Sequence, residues 1–162
     1  MNRIWAPWRK AYIRPKEKKE KSCLFCRLLK SPLSRKSLIV GRNPLSYAVL
    51  NRYPYNNGHI LIVPNRHVSE ISDLTDREKL DWLSLQEEVL AALRKTLKPH
   101  GVNLGINLGR VAGAGIPGHL HLHMVPRWQG DVNFMPVVGA TKVISESLES
   151  VWEVLSGALK NK

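Results

Sequence analysis

Apolar residues between Ser37 and Val63 come in short runs rather than long stripes. Ser37–Val40, Tyr47–Leu50 and His59–Val63 each read as a strand, rich in β-branched and aromatic side chains. Arg42-Asn43-Pro44 separates the first two, and Pro54-Tyr55-Asn56-Asn57-Gly58 separates the last two, both with turn chemistry. The period then changes. Thr75 with Glu78 three residues on is a capping box, and Asp76 suits the positive end of a helix dipole. Leu80, Leu83, Leu90, Leu93 and Leu97 recur at helical spacing and predict one buried face, before Pro99-His100-Gly101 ends the helix. Two more strands follow, Asn103–Asn107 and His119–Val125, joined by the glycine-rich segment Gly109–Gly118. A last helix is predicted from about Ser145, with Leu148, Val151, Trp152, Leu155 and Leu159 on one stripe. The order β-β-β-α-β-β-α with hairpin-type links argues for an α+β fold, a five-stranded antiparallel sheet carrying two helices.

Length fits one domain: 162 residues, 43% hydrophobic and 23% charged, an ordinary globular composition. Residues 1–22 stand apart as a basic arm with aromatic anchors (Trp5, Trp8, Tyr12), leaving 23–162 as the folded domain. The net charge of +12 is unevenly placed. Residues 1–42 hold 13 Lys/Arg against Glu17 and Glu20, or +11, and the rest of the chain is nearly balanced. Basicity of that kind belongs to a solvated segment that attracts polyanions and does not make the fold a nucleic-acid binder. No apolar run reaches the roughly 18 residues of a membrane-spanning helix. The basic N-terminus has no apolar stretch behind it, so neither a secretion signal nor a membrane partner is expected, and a cytoplasmic setting follows. Two cysteines are too few for a disulfide framework. Their Cys23-x-x-Cys26 spacing leaves a metal knuckle, a redox pair or two reduced bystanders open.

Three of the six histidines fall at alternate positions in His119-Leu120-His121-Leu122-His123. On a strand that places all three imidazoles on one face, ~7 Å apart, while Leu120, Leu122 and Met124 enter the core. Pro126 is expected to stop the ladder. Such a row can bind metal, move protons or supply a nucleophile. Just upstream, Asn107-Leu108-Gly109-Arg110-Val111-Ala112-Gly113-Ala114-Gly115 has so little side-chain bulk that its backbone N–H groups can approach an anion. Beside three histidines it points to phosphate.

The segment His119-Leu120-His121-Leu122-His123-Met124-Val125 resembles the histidine-triad signature of a family of nucleotide hydrolases and transferases at every position. The likeness runs upstream through Gly58–His67 and covers most of residues 23–128. Trp5-Ala6-Pro7-Trp8-Arg9, Leu50–His59 and Pro126–Phe134 are similar to the branch of diadenosine tetraphosphate phosphorylases and related hydrolases. What the resemblance implies is a covalent mechanism. His121 attacks the α-phosphorus of a nucleotide, His123 assists on the phosphate or leaving-group side, and water or inorganic phosphate then releases the nucleotide. Asn107 and backbone N–H groups of the loop through Gly113, Gly115 and Ile116 stabilise the transferring phosphoryl, and Asn51 meets the ribose. The resemblance further implies structural Zn2+ on Cys23, Cys26, His67 and His119, and a homodimer in which two half-sheets join. His59 and His100 are expected to lack convergent partners.

Two departures stand out. Many triad hydrolases carry Gln-Ser where this chain has Gly115-Ile116, so side-chain help on the phosphate is missing there. An Asp common at the ribose is Asn51 here, which can still donate and accept but carries no charge. Three classes of function therefore compete: a nucleotidyl-transferring enzyme acting on dinucleoside polyphosphates or on smaller conjugates such as adenosine phosphoramidates; a non-catalytic nucleotide- or metal-binding module; and a nucleic-acid binder driven by the basic arm. The complete triad favours the first over the second, and the near-neutral body of the chain disfavours the third. Trp5, Trp8 and Trp128 serve either to stack on a base or to anchor the arm.

Overall fold

The computed structural model describes residues 22–132, 134, 138, 139 and 143–160; the predicted arm, with Trp5 and Trp8, lies outside them apart from Ser22. Five strands, β1 (Ile39–Arg42), β2 (Ser46–Leu50), β3 (Ile60–Pro64), β4 (Gly101–Ile106) and β5 (Leu122–Arg127), form one antiparallel sheet in the order β1-β2-β3-β5-β4. A short helix α1 (Leu24–Leu29) precedes them. The long helix α2 (Asp76–Thr96) stands between β3 and β4, and α3 (Leu148–Lys160) closes the described chain. The α+β expectation of an antiparallel five-stranded sheet holds. The third helix, α1, is an addition: the apolar stretch after the cysteines is one and a half turns of helix.

The sheet is covered on both faces at its centre. Ala48, Leu50, Ile60, Ile62, Leu122 and Met124 lie on the side of α2, where Trp82 donates its indole N–H to the Ile62 carbonyl at 3.1 Å. Tyr47, Val49, Leu61 and Val63 point the other way, toward α1, and the Tyr47 hydroxyl donates to the Phe25 carbonyl at 2.8 Å. β5 shows the half-buried alternation in its plainest form: Leu122, Met124 and Pro126 are buried, and His123, Val125 and Arg127 are partly exposed. On the opposite edge, α3 is pinned to β1 by the Trp152 indole N–H on the Ile39 carbonyl at 2.8 Å.

The capping box forms as expected. Thr75 Oγ1 accepts the Glu78 N–H at 3.3 Å, and the Glu78 carboxylate accepts the Thr75 N–H at 2.8 Å. The predicted face of α2 is buried only in its C-terminal half, where Leu93 is buried and Leu90 and Leu97 pack against the core. Trp82, Leu85, Val89, Ala92 and Leu93 are buried, whereas Leu80 and Leu83 are 69% and 51% exposed. The leucine count misleads because the stripe is set by the largest side chain that finds a polar partner, Trp82, and by the residues three, seven and eleven positions after it. Pro126 also departs from expectation, since it lies within β5 opposite Val102 instead of ending the strand. Pairing with β3 ends at Met124, and the Pro126 carbonyl is taken by the Asn56 side-chain amide at 2.9 Å. A missing N–H costs nothing where no strand lies beside it.

Candidate functional site

β3 and β5 build the site between them. Leu61 stands opposite His123 on the face away from α2, and His59 is two residues before Leu61 on that same face. His119 and His121 lie just before the start of β5, 1% and 5% exposed, and the Leu120 N–H is held by the Val68 carbonyl at 2.6 Å. The expected strand His119–Val125 thus begins later, at Leu122. The His121 and His123 rings lie 5.1 Å apart, and Phe25 packs against His119 and His121 at 5.4 and 5.0 Å.

Each imidazole has a partner that decides which nitrogen carries the proton. His119 donates from Nε2 to the Pro64 carbonyl at 2.9 Å, which leaves the Nδ1 lone pair facing the cysteines. His121 donates from Nδ1 to the His119 carbonyl at 2.8 Å, which leaves Nε2 as a bare lone pair. His59 Nδ1 accepts the Tyr55 N–H at 3.0 Å and faces the Asn51 amide nitrogen at 3.3 Å. Its proton is therefore on Nε2, which donates to His123 Nδ1 at 2.9 Å. His123 in turn carries its proton on Nε2, and that buried atom has no partner among the described residues. The row presents one free lone pair, on His121, and one unspent donor, on a ring 5.1 Å away.

Burial holds these rings neutral. It lowers the pKa of His119 and of His121, in each case against a backbone hydrogen bond that works the other way. His123 falls to about 4, through burial first and the charge of His121 second. An imidazole whose pKa is lowered stays unprotonated at neutral pH, with its lone pair available.

The sequence-predicted phosphate and ribose residues are placed as follows. Asn107 lines a hollow of ≈ 190 Å³ together with Tyr55, Asn103, Gly105, His123 and Val125. Gly113 lies beside it; a Cβ there would be 3.8 Å from the Asn107 side-chain nitrogen, and a φ of +98° suits glycine. The Gly113 N–H closes a turn on the Arg110 carbonyl and the Ala114 N–H one on Gly109, so the Gly113 donor is spent within the loop, while those of Gly115 and Ile116 are not used in these turns. Asn51 is engaged at both ends of its amide, accepting the Tyr53 N–H at 3.0 Å while facing His59. His59 is the residue that sequence reasoning missed. Its expected lack of partners is corrected by a contact that exists only once β3 pairs with β5. His100 accepts the Gln129 N–H at 3.0 Å, away from the row.

A second cluster adjoins the first. Cys23, Cys26, His67 and His119 place one ligand atom each within 4.8 Å of one another. Cys23 Sγ and Cys26 Sγ lie 3.4 and 3.6 Å from His119 Nδ1, Cys26 Sγ is 3.4 Å from His67 Nδ1, and the two Nδ1 atoms are 3.2 Å apart. Two thiols and two ring nitrogens, with the His119 lone pair turned inward by Pro64, make a soft four-donor set. Burial and the neighbouring Cys23 push the Cys26 thiol up, a cost that cation binding reverses by taking the thiolate. Next to His67 in the chain, Arg66 forms a bidentate pair with Glu78 and reaches the Asp73 carbonyl; the pair holds the Glu78 carboxyl down at about 2.

With this geometry in view, the comparisons are direct. The HIT domain model matches residues 33–130. The chain belongs to the HIT family. It is 37% identical to an AP-4-A phosphorylase of Mycobacterium tuberculosis (strain ATCC 25618 / H37Rv) over 96% of this chain and 83% of that one. It is 35% identical to an asymmetrical bis(5'-nucleosyl)-tetraphosphatase of Schizosaccharomyces pombe (strain 972 / ATCC 24843) over 59% and 52% of the two chains. Among solved structures, a Zn-bound histidine triad family protein from Mycobacterium smegmatis superposes with a TM-score of 0.67 over 86% of this chain and 94% of that one, at 24% identity, a likeness of HIT fold.

Proposed function

We propose that this HIT protein is a nucleotide-processing enzyme that cleaves dinucleoside polyphosphates, with diadenosine tetraphosphate as the type substrate, through a nucleotidyl-His121 intermediate. The observation that carries the reading is the tautomer of His121: its Nδ1–H is spent on the His119 carbonyl, which leaves Nε2 free on a ring 5.1 Å from that of His123. A bond forms from His121 Nε2 to the α-phosphorus while the bond from that phosphorus to the bridging oxygen breaks. The electron pair leaves with the nucleoside polyphosphate. In the second step an oxygen of inorganic phosphate or of water takes the nucleotide, and Nε2 regains its lone pair; the acceptor's displaced proton goes to solvent. With phosphate the products of diadenosine tetraphosphate are ATP and ADP, and with water ATP and AMP. His123, Asn107 and the N–H groups of Gly115 and Ile116 serve the charge that builds on the phosphoryl oxygens.

The state of His123 favours a polyphosphate over an amine as leaving group. A phosphate departs as a stable anion, with a last pKa of about 6, and a hydrogen bond from a neutral imidazole is adequate for it. An amine must take up a proton, and burial keeps His123 from holding a spare one at neutral pH.

The donor set Cys23, Cys26, His67 and His119 fits Zn2+, which as a closed tetrahedral ion ties α1 to the catalytic strand. Reduced thiols of this kind suit a cytoplasmic setting. A homodimer is part of the same reading, supported by the edge strand β4 with Leu104 52% exposed and by the exposed Leu80 and Leu83 of α2. Product analysis with and without phosphate tests the proposal. ADP that appears only with phosphate identifies a phosphorylase, and AMP in both cases a hydrolase. No turnover of diadenosine tetraphosphate alongside turnover of adenosine phosphoramidate overturns the substrate assignment.

A further inference from the structure

The hollow beside His123 owes its existence to a residue with no side chain. On the histidine face of the sheet β4 presents Asn103, Gly105 and Asn107 at alternate positions, and Gly105 is the residue directly opposite His123. A Cβ built on Gly105 meets nothing within 4 Å, so neither close packing nor backbone conformation calls for glycine here. Glycine in a strand interior carries a cost in stability and commonly marks a place where something approaches the backbone.

What surrounds the gap is a set of donors. His123 turns its unpartnered Nε2–H away from His59. Asn103 accepts the Arg127 guanidinium on Oδ1 at 3.1 Å, which leaves its NH2 group to donate elsewhere, and Asn107 adds a second amide. Arg127 is itself fixed by a bidentate pair with Asp131, at 2.6 and 2.8 Å, so the Asn103 amide is oriented from behind. Tyr55, stacked on His123 within 6° of parallel, and Val125 complete the walls. The opposite end of the row is closed, because Phe25 and the Cys/His cluster occupy the His119 side.

We propose that the hollow over Gly105 seats the departing half of the substrate, with the first phosphate of a nucleoside polyphosphate held by His123 Nε2–H and the side-chain amides of Asn103 and Asn107. Gly105 is then a specificity-determining residue: it keeps open the space that a large leaving group needs and a small one does not. The inference rests on the nucleotidyl-transfer reading above and adds the subsite for the group expelled.

Gly105→Val tests it. The substitution fills the hollow with a residue suited to a strand, at a backbone position that accepts any side chain. Wild-type and variant enzymes are compared on diadenosine tetraphosphate and on adenosine 5′-phosphorofluoridate, whose leaving group is a single fluoride ion. The expected result is a fall of tenfold or more in the ratio of kcat/KM for the tetraphosphate to that for the fluoridate, with unchanged far-UV circular dichroism. An unchanged ratio overturns the inference, whether both activities persist or both fall together. A wild type that cleaves the fluoridate but not the tetraphosphate instead overturns the dinucleoside reading. A second measurement does not need turnover: inorganic triphosphate added to 15N-labelled protein shifts the Gly105 and Val125 amide resonances in the wild type and leaves the Val125 resonance in place in Gly105→Val. Absence of those shifts in the wild type overturns the subsite.

Discussion

Phe25 offers the sharpest test of how the two clusters depend on each other. It sits between Cys23 and Cys26 in the sequence, is 2% exposed, and lays its ring against both His119 and His121. Phe25→Ala removes a buried aromatic side chain whose cavity cannot collapse easily, since Tyr47 holds the Phe25 carbonyl and Arg42 grips the carbonyls of Leu29 and Ser31 at the end of α1. Substitutions of this kind cost about 3–5 kcal/mol. At about 2–4 °C per kcal/mol for a domain of this size, the melting temperature should fall by roughly 6–20 °C. That is a large part of a total stability of about 5–15 kcal/mol, yet it leaves a folded protein to measure. Thermal melts followed by circular dichroism, run with and without a strong chelator, give four midpoints. If the cysteine knuckle is what seats Phe25, chelation and substitution act on one element, and the two losses together are smaller than their sum. Additive losses, or a shift below about 2 °C for Phe25→Ala alone, would refute the reasoning.

His121→Ala should lower turnover by about 10⁴ or more, as removal of a covalent nucleophile does; labelled nucleotide trapped on the wild type and absent from the variant is the check. Cys26→Ser should drop zinc content well below one per chain, measured by elemental analysis of purified protein. The stability of the fold should decline in acid. His123 titrates at about 4 when folded and near 6.5 when unfolded, so below about pH 6.5 the unfolded chain gains a proton that the native state refuses. Stability therefore falls as pH drops from about 6.5 toward 4, and melts of His123→Gln should show a shallower slope over that window. Gly58→Ala should destabilise by about 1–3 kcal/mol, because φ is +67° and a Cβ would come within 2.5 Å of Leu97 Cδ1; a midpoint equal to wild type in urea denaturation would contradict this.

The features legible in the chain were those written in short periods. Alternation through His119–His123 announces the strand face that His123 takes, although β5 begins only at Leu122; Thr75 with Glu78 announces a helix start, and the Cys23-x-x-Cys26 spacing admits a metal knuckle. His59 was hidden because its relation to His123 is a diagonal across two strands separated by some sixty positions, and no local period encodes which strands pair. The exposure of Leu80 and Leu83 in the first half of α2 escapes the leucine pattern for a similar reason. Leucine spacing describes a helix, but the choice among its faces is made by Trp82 reaching the Ile62 carbonyl. Turns closed by Gly113 and Ala114 within the loop likewise depend on backbone hydrogen bonds that composition does not announce.

His119 faces two ways at once. Its ring belongs to the four-donor cluster, and its carbonyl grips the proton of His121. Whatever steadies the ring steadies the carbonyl, so occupancy of the two places is thermodynamically linked. By reciprocity, a nucleotide resting on residue 121 would raise the affinity of the cysteines for a cation by the same factor by which that cation tightens the nucleotide. A chain without nucleotide would then yield a bound cation at a lower chelator concentration than one kept saturated with substrate analogue.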